Sequence, residues 1–263
     1  MMETNTVSKL AQEKKIQQLW HKLNDRFVKA FATYHLLEDD DHILVGLSGG
    51  KDSLLLLELL AKRACIQHPR FKVEAIHVRM ENISYETSTD YLQDFCQQLG
   101  VPLHVINTSF EVNDRNDCSD KDRRRQKSPC FLCSWNRRKQ MFNLAQELGC
   151  NKIALGHHQD DIIKTTLMNL TFQGRFGTMP ALLRMKKMPL SIIRPLCMIN
   201  EADIKRYAKL NNYQKQLKLC PYEHDTQRAH IQQMFQLAEQ MNPEARFSIW
   251  NALDRDGKLV EDY

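Results

Sequence analysis

The sequence predicts an α/β fold, a parallel doubly wound sheet of about five strands with helices at both ends of the chain. Three observations predict it. Short apolar runs alternate with longer segments of helical spacing, as in strands joined by crossover helices. The runs are apolar throughout, which is typical of strands that are covered on both faces. Residues suited to binding a ligand follow several of the runs, where parallel sheets place their ligand sites.

The elements follow in order from the N-terminus. A helix is expected from Val7 to Phe31, then a strand at Ile43–Leu47 and a helix over the leucines that follow Ser53. Further strands are expected at Lys72–Val78, Leu103–Asn107, Ile153–Leu155 and Ser191–Ile193, and further helices at Asp90–Leu99 and Ile162–Phe172. From Asn200 onward the pattern is helical. We therefore divide the chain into an N-terminal helical segment (1–38), an α/β domain (39–199) and a C-terminal helical region (200–263).

Composition narrows the class of protein. With 263 residues, of which 42% are hydrophobic and 26% charged, the chain is ordinary globular material. It has no apolar stretch long enough to span a membrane and no signal-like N-terminus, so we expect a cytoplasmic protein without a membrane partner. In that reducing compartment the eight cysteines are not expected to form disulfides. We interpret Cys65, Cys96, Cys150 and Cys197 as thiols of the core.

The first motif is the loop Ser48-Gly49-Gly50-Lys51-Asp52-Ser53, between the first strand and the following helix. The glycines let the backbone approach an anion, and the helix N-terminus offers unpaired amides and a positive dipole end. The loop therefore predicts a nucleotide site. It is not a Walker A loop, because Asp52 stands where a Ser or Thr is required. The alternative is a glycine-containing turn without a ligand.

The second motif is Cys130-Phe131-Leu132-Cys133, which Ser128 and Pro129 place in the first turn of a helix. A helix N-terminus favours the thiolate that binds metals. From these residues alone the pair fits an iron–sulfur site, a redox dithiol or chance, and also structural zinc. For zinc, a further ligand would come from Cys118, Cys220 or His224.

Several ordered motifs together carry a resemblance. The loop from Ser48 to Ser53 matches the S-G-G-x-D-S motif of PP-loop pyrophosphatases, which cleave ATP between the α and β phosphates. Between Leu44 and Arg228 the chain resembles the TtcA-type tRNA 2-thiocytidine synthetases. Besides the loop and the cysteine pair, the shared motifs are G-H-H-x-D-D at Gly156–Asp161, Gly174 through Met179-Pro180, Arg194-Pro195-Leu196, Glu201-x-Asp203-Ile204 and Gln227-Arg228.

The resemblance implies a PP-loop ATP-binding domain over 39–199, of the adenine nucleotide α-hydrolase type. It implies ATP and magnesium, and a 4Fe-4S cluster held by Cys130, Cys133 and Cys220. It further implies that a cytidine carbonyl in tRNA is adenylylated and then replaced by sulfur. The implied partners are tRNA, a sulfur donor such as a cysteine desulfurase, and a second copy of the chain.

Roles for single residues follow from the resemblance and from the strand ends. The implied catalytic residues are Asp52, Asp161 and Arg137. The implied ATP-binding residues are Ser48, Gly49, Gly50, Lys51, Asp52, Ser53, His77 and Gly156. Several neighbours also have simple structural explanations: His157 and His158 can pack at a strand end, Asp160 and Asp161 can cap a helix, and Glu201 and Asp203 are typical first-turn acids.

A basic segment points to a polyanionic partner. Between Lys121 and Lys139 eight Lys or Arg residues stand against one acid, Asp122, which suits a phosphate backbone or, alternatively, a solvated loop. Trp135, Phe131 and Phe176 could stack on an extruded base or pack in the core. Two other classes of function stay open: a PP-loop synthetase for another acceptor, by nitrogen transfer or small-molecule thiolation, and a non-catalytic RNA-binding metalloprotein.

Overall fold

A computed structural model describes residues 2–82, 89–109, 128–214 and 226–263, with side chains from residue 12 in the first helix and from residue 227 after the last gap. Eight helices and seven strands lie in these ranges. The helices are α1 (Met2–Tyr34), α2 (Lys51–Ala64), α3 (Thr89–Gln98), α4 (Pro129–Glu147), α5 (Gln159–Gln173), α6 (Glu201–Leu210), α7 (Thr226–Met241) and α8 (Ala245–Arg255). The strands are β1 (Asp41–Gly46), β2 (Phe71–Met80), β3 (Leu103–Thr108), β4 (Lys152–Ala154), β5 (Leu182–Arg184), β6 (Ser191–Ile193) and β7 (Val260–Asp262).

The strands form one sheet in the order β3-β2-β1-β4-β6-β5-β7. The first five strands of that order are parallel, β5 is antiparallel to β6, and β7 is parallel to β5. The chain leaves β1 first toward β2 and β3, and later returns on its other side with β4. The strand order therefore reverses between β1 and β4, and ligands bind at such a point beyond the carboxyl ends of the strands.

The fold class expected from the sequence is confirmed, with a difference in strand number. Five strands were expected and seven are present, because β5 and β7 add to one edge. Each has three residues and includes at least one charged side chain, so neither forms a continuous apolar run that would predict a buried strand. The C-terminal region is therefore not helical to its end. The three-part division of the chain stays a prediction.

The strands are apolar because both faces of the sheet are covered. Ile43 and Val45 of β1 belong to one core cluster, together with buried residues of α1, α2 and α6, while Leu44 belongs to a second cluster under α4. The leucines of α2 are buried on every side, since α2 lies between the sheet and α6. No helix among the described residues is long and apolar enough to cross a membrane.

Candidate active site

The loop between β1 and α2 is shaped by its own serines. The Ser48 amide donates to Ser53 Oγ (3.2 Å), the Gly50 amide donates to Ser48 Oγ (3.4 Å), and Ser53 Oγ donates to the Gly50 carbonyl (2.9 Å). Gly49 has φ +80°, a left-handed conformation that glycine adopts without strain. Gly50 is the N-cap of α2 and has no side chain to cap the first amides. These amides are therefore available to an anion.

Gly156, after β4, lies directly against this loop. A Cβ atom on Gly156 would come within 3.0 Å of the Ser53 amide nitrogen and 3.2 Å of the Asp52 carbonyl oxygen. Both contacts are with backbone, which cannot move aside as a side chain can. Any larger residue would push the two loops apart, so glycine at 156 sets the spacing of the site.

Lys51 lies in a cluster of carboxylates at the mouth of the loop. Its Nζ is 3.0 Å from Asp52 Oδ2 and 3.2 Å from Glu201 Oε1 at the start of α6, and Lys205 binds the same Glu201 oxygen at 3.0 Å. Partial burial would lower the pKa of Lys51, but Asp52 and Glu201 outweigh it and raise that pKa. Lys51 therefore stays charged near pH 7.

His158 connects the two aspartates that the sequence singled out. Its buried imidazole Nε2 lies 3.8 Å from Asp52 Oδ1 and 3.4 Å from Asp161 Oδ2. Asp161 Oδ2 also accepts the His158 amide at 3.2 Å and so caps α5. The structure thus brings Asp52 and Asp161 to one imidazole, an arrangement that the sequence did not indicate for His158.

Asp160 has a different position from its neighbour. Its two carboxylate oxygens accept the Glu201 amide at 2.7 Å and the Arg246 guanidinium at 2.8 Å. Burial would raise the pKa of Asp160, but these bonds lower it. Asp160 therefore connects the N-terminus of α5 to α6 and α8.

The sequence did not predict two of these contacts, that of Glu201 with Lys51 and that of Arg246 with Asp160, because each joins distant parts of the chain.

His77 and Arg137 approach the loop from β2 and α4. The His77 Nδ1–H donates to the carbonyl of Leu47, just before the loop, at 2.8 Å. Burial lowers the pKa of His77, and the positive charge of Arg137 lowers it further. His77 is therefore neutral near pH 7 and supports the backbone that leads into the loop.

The cysteine pair lies at the same edge of the sheet. Ser128 caps α4 by accepting the Phe131 amide (3.3 Å), and Pro129 occupies the first turn. Cys130 is exposed, whereas Cys133 is half-buried and packs near Met80, at the carboxyl end of β2. The third cysteine implied by the resemblance, Cys220, lies outside the described residues, as do Cys118 and the basic segment 121–127.

The aromatic candidates separate by exposure. Trp135 and Phe131 are 48% and 46% exposed, and Lys139 Nζ lies 5.5 Å from the Trp135 ring centroid. Phe176 is half-buried and packs against the main core cluster. The two rings beside the cysteine pair are therefore solvent-exposed, and Phe176 is a packing residue.

Comparison with known proteins gives consistent matches. The PP-loop domain family matches residues 11–233. The tRNA-cytidine(32) 2-sulfurtransferase of Bordetella avium is 33% identical over 92% of this chain and 76% of its own length. That of Acaryochloris marina is 33% identical over 94% and 86%. The solved U34-tRNA thiolase NcsA from Methanococcus maripaludis, with its 4Fe-4S cluster, covers 91% of this chain and 79% of that one at 24% identity and TM-score 0.69, which shows a shared fold.

Proposed function

Since this chain belongs to the PP-loop domain family and to that of the tRNA-cytidine(32) 2-sulfurtransferases, we propose that it is an ATP-dependent tRNA thiolase. It replaces the C2 carbonyl oxygen of a cytidine, in the anticodon loop, with sulfur. The observation that carries the proposal is the meeting, at one sheet edge, of an open anion-binding loop and a pair of cysteines on a helix N-terminus.

The reaction has two bond exchanges. The cytidine carbonyl oxygen attacks the α-phosphorus of ATP, and pyrophosphate leaves. Sulfide then adds to C2 and AMP leaves, with the sulfide proton passing to solvent. The amides of the loop would stabilise the charge that develops on the phosphates, and Lys51 would contact them directly.

Asp52 is suited to a magnesium ion. Its Oδ1 is buried and has no hydrogen-bond partner among the described residues, and carboxylate oxygen is a preferred magnesium ligand. No group of three His, Cys, Asp or Glu side chains in the described ranges is arranged to hold a metal ion. Phosphate oxygens of ATP and water would therefore supply the remaining magnesium ligands. Asp161 lies near the same His158 nitrogen as Asp52.

The cysteines fit an iron–sulfur cluster by their chemistry. Two thiols three residues apart share a helix face at the positive end of α4, which favours thiolate. We assign Cys130 and Cys133 as ligands, with Cys220 as the third. When bound, a 4Fe-4S cluster with one iron lacking a protein ligand supplies a binding site for hydrosulfide. Arg137, one turn after Cys133, would place positive charge beside the anionic reactants.

We further propose the partners and the compartment. The substrate is tRNA, the sulfur donor is a protein such as a cysteine desulfurase, and the enzyme acts in the cytoplasm as a homodimer. Trp135 and Phe131, exposed beside the cysteine pair, are the candidates for stacking on the extruded base.

Mass spectrometry of tRNA nucleosides tests the proposal. A strain without the gene should lose 2-thiocytidine, and wild type should restore it. Cys65, which follows α2, is exposed and not in the core as expected from the sequence, so Cys65→Ser should also restore it, whereas Cys130→Ser should not. If no thiolated nucleoside changes, the acceptor is a different one and the proposal fails. Anaerobic iron and sulfide content should fall in Cys130→Ser, Cys133→Ser and Cys220→Ser alike.

A further inference from the structure

Two residues meet where β4 and β6 end. The strands are paired, with Ala154 opposite Ile193, and the Leu155 amide donates to the Ile193 carbonyl at 3.0 Å. His157 follows β4 closely, and Arg194 follows β6 directly. The pairing therefore sets His157 and Arg194 beside each other, with Arg194 one strand farther from β1 than Gly156 and His157.

Each of the two side chains has one buried nitrogen atom without a hydrogen bond among the described residues. Arg194 is only 7% exposed, and its Nη1 donates to the Pro180 carbonyl at 2.5 Å. Arg194 Nε and His157 Nδ1 are buried, and neither has a hydrogen-bond partner among the described residues. Buried polar atoms in folded proteins are nearly always paired, so exceptions at a ligand edge indicate where a ligand binds.

The surrounding charge is positive. Burial lowers the pKa of Arg194 to about 10, and the next largest cause is the positive charge of Arg138, from α4. Burial also lowers the pKa of His157, and Arg194 and Arg228, the latter from α7, lower it further. The carboxylates of Asp161 and Glu261 act in the opposite direction but less strongly than burial and the nearest arginine. Like charges gathered in this way are stabilised by an anion.

We propose that Arg194, His157, Arg138 and Arg228 form a second anion site that binds a phosphate group. Guanidinium groups are the preferred ligands of phosphate because their planar donors match its oxygens. Arg138 and Arg228 are exposed, so the site opens to solvent, whereas Arg194 is buried and His157 is half-buried with its Nδ1 inaccessible.

The phosphate comes from the polynucleotide, an assignment that rests on the proposed function. The phosphates of ATP have their own loop at the end of β1, whereas Arg194 follows β6, with β4 between them. The modified base must reach the α-phosphate of ATP at the end of β1. A phosphate of the RNA backbone next to that nucleotide would then lie about two strands away, near Arg194.

Binding of tRNA at a series of salt concentrations tests the source. For Arg138→Gln, the slope of log Kd against log salt should fall by about 0.7–0.9, the effect of one lost phosphate contact. Arg194→Lys should weaken tRNA binding while keeping the charge. Arg70→Gln, at the opposite edge of the sheet, is the matched control. Affinity for a non-hydrolysable ATP analogue should stay at the wild-type value in all three.

If ATP-analogue affinity falls instead and tRNA binding does not, the phosphate belongs to the nucleotide, and the assignment to tRNA is wrong while the anion site stands. If neither affinity changes in either variant of the cluster, the anion site is overturned. Inorganic phosphate gives a test that needs no tRNA. Added at constant ionic strength to protein labelled in histidine, it should raise the pKa of His157, as followed by NMR, with His157→Gln assigning the signal.

If phosphate raises the pKa of His157 no more than chloride does, the anion site is also overturned. The two proposals can fail separately. A His157 response to phosphate without any thiolated nucleoside would leave the anion site standing and remove the proposed function. Normal thiolation, with no response of His157 to phosphate and no change of tRNA affinity in the variants, would leave the proposed function standing and remove the anion site.

Discussion

Buried polar and charged groups have different partners at the two ends of the strands of the central sheet. We call the end where the parallel strands begin the amino edge, and the end where they finish the carboxyl edge. At the amino edge, Lys152 binds Asp41 at 2.6 Å, with side chains 8% and 2% exposed, and also donates to the Leu36 carbonyl at 3.0 Å. The Asn151 amide group donates to the second Asp41 oxygen at 2.8 Å. At the carboxyl edge, Asp52 Oδ1, His157 Nδ1 and Arg194 Nε are buried without partners among the described residues. The amino edge is satisfied internally and stabilises the fold, whereas the carboxyl edge leaves buried polar atoms for the ligands that we propose.

The largest effect is expected from breaking the amino-edge pair. Lys152→Met leaves Asp41 charged and buried, which should lower the free energy of unfolding by about 3–5 kcal/mol. Urea unfolding measures it, with the exposed Lys72→Met as control. Activity per folded molecule should be retained. A loss below about 1 kcal/mol would mean that this edge does not depend on its ion pair.

The converse variant is at the carboxyl edge. Asp52→Asn should lower the rate of pyrophosphate release by about 10²–10³-fold, the typical effect of removing one electrostatic contact to a transition state. Its free energy of unfolding should change by less than about 1 kcal/mol, because Oδ1 has no hydrogen bond to lose and the ion pair of Oδ2 with Lys51 is partly exposed. Asp94→Asn, on the exposed side of α3, is the control. A large loss of stability would contradict the division between the edges.

A smaller effect is expected at Glu201, which lies at the carboxyl edge but is paired. Glu201→Gln removes one of two carboxylates that hold Lys51, so the KM for ATP should rise about fivefold with kcat near wild type, as for a partly exposed ion pair worth about 1 kcal/mol. Lys205→Gln, which removes the other partner of the same oxygen, should leave KM unchanged. A lower KM in Glu201→Gln would show instead that Glu201 competes with phosphate for Lys51.

The smallest expected effects concern the pH dependence of stability, which Glu74 in β2 and His157 at the carboxyl edge should influence in different pH ranges. Partial burial would raise the pKa of Glu74, but hydrogen bonds from His104 and His42 outweigh it and lower that pKa. The stability from Glu74 is therefore present above its unfolded pKa and lost as pH falls through the folded value. The pKa of His157 is lowered from 6.5 to about 4 in the folded protein. As pH falls, His157 therefore takes up its proton in the unfolded protein first, and the free energy of unfolding decreases from pH 6.5 to pH 4.

Unfolding in urea at several pH values measures both windows. Glu74→Gln should lose the dependence below about pH 4.5, and His157→Gln should lose the dependence between pH 6.5 and 4. Profiles of the two variants that match wild type across both ranges would contradict the assignment.

Local features of this molecule could be predicted from its sequence, and long-range ones could not. The loop from Ser48 to Ser53, the cap at Ser128 and the strand Ser191–Ile193 each depend on a few consecutive residues. The pairs Lys51–Glu201 and Arg246–Asp160 join residues far apart in the chain, and no local pattern predicts them. β5 and β7 have only three residues each and exist because β5 pairs with β6 on one side and with β7 on the other. The roles of the site residues, Cys220 included, stay predictions.

The contact at Gly156 has a mechanical consequence. With no side chain between them, the backbone after β4 packs directly on the first turn of α2, so that turn cannot approach β4 without displacing it. α5 begins three residues after Gly156 and, with 15 residues, is a lever about 22 Å long. It contacts both α7 and α8, and Asp160 near its start binds Arg246 of α8. A nucleotide that displaced the loop would therefore act, through α5, on the C-terminal helices α7 and α8.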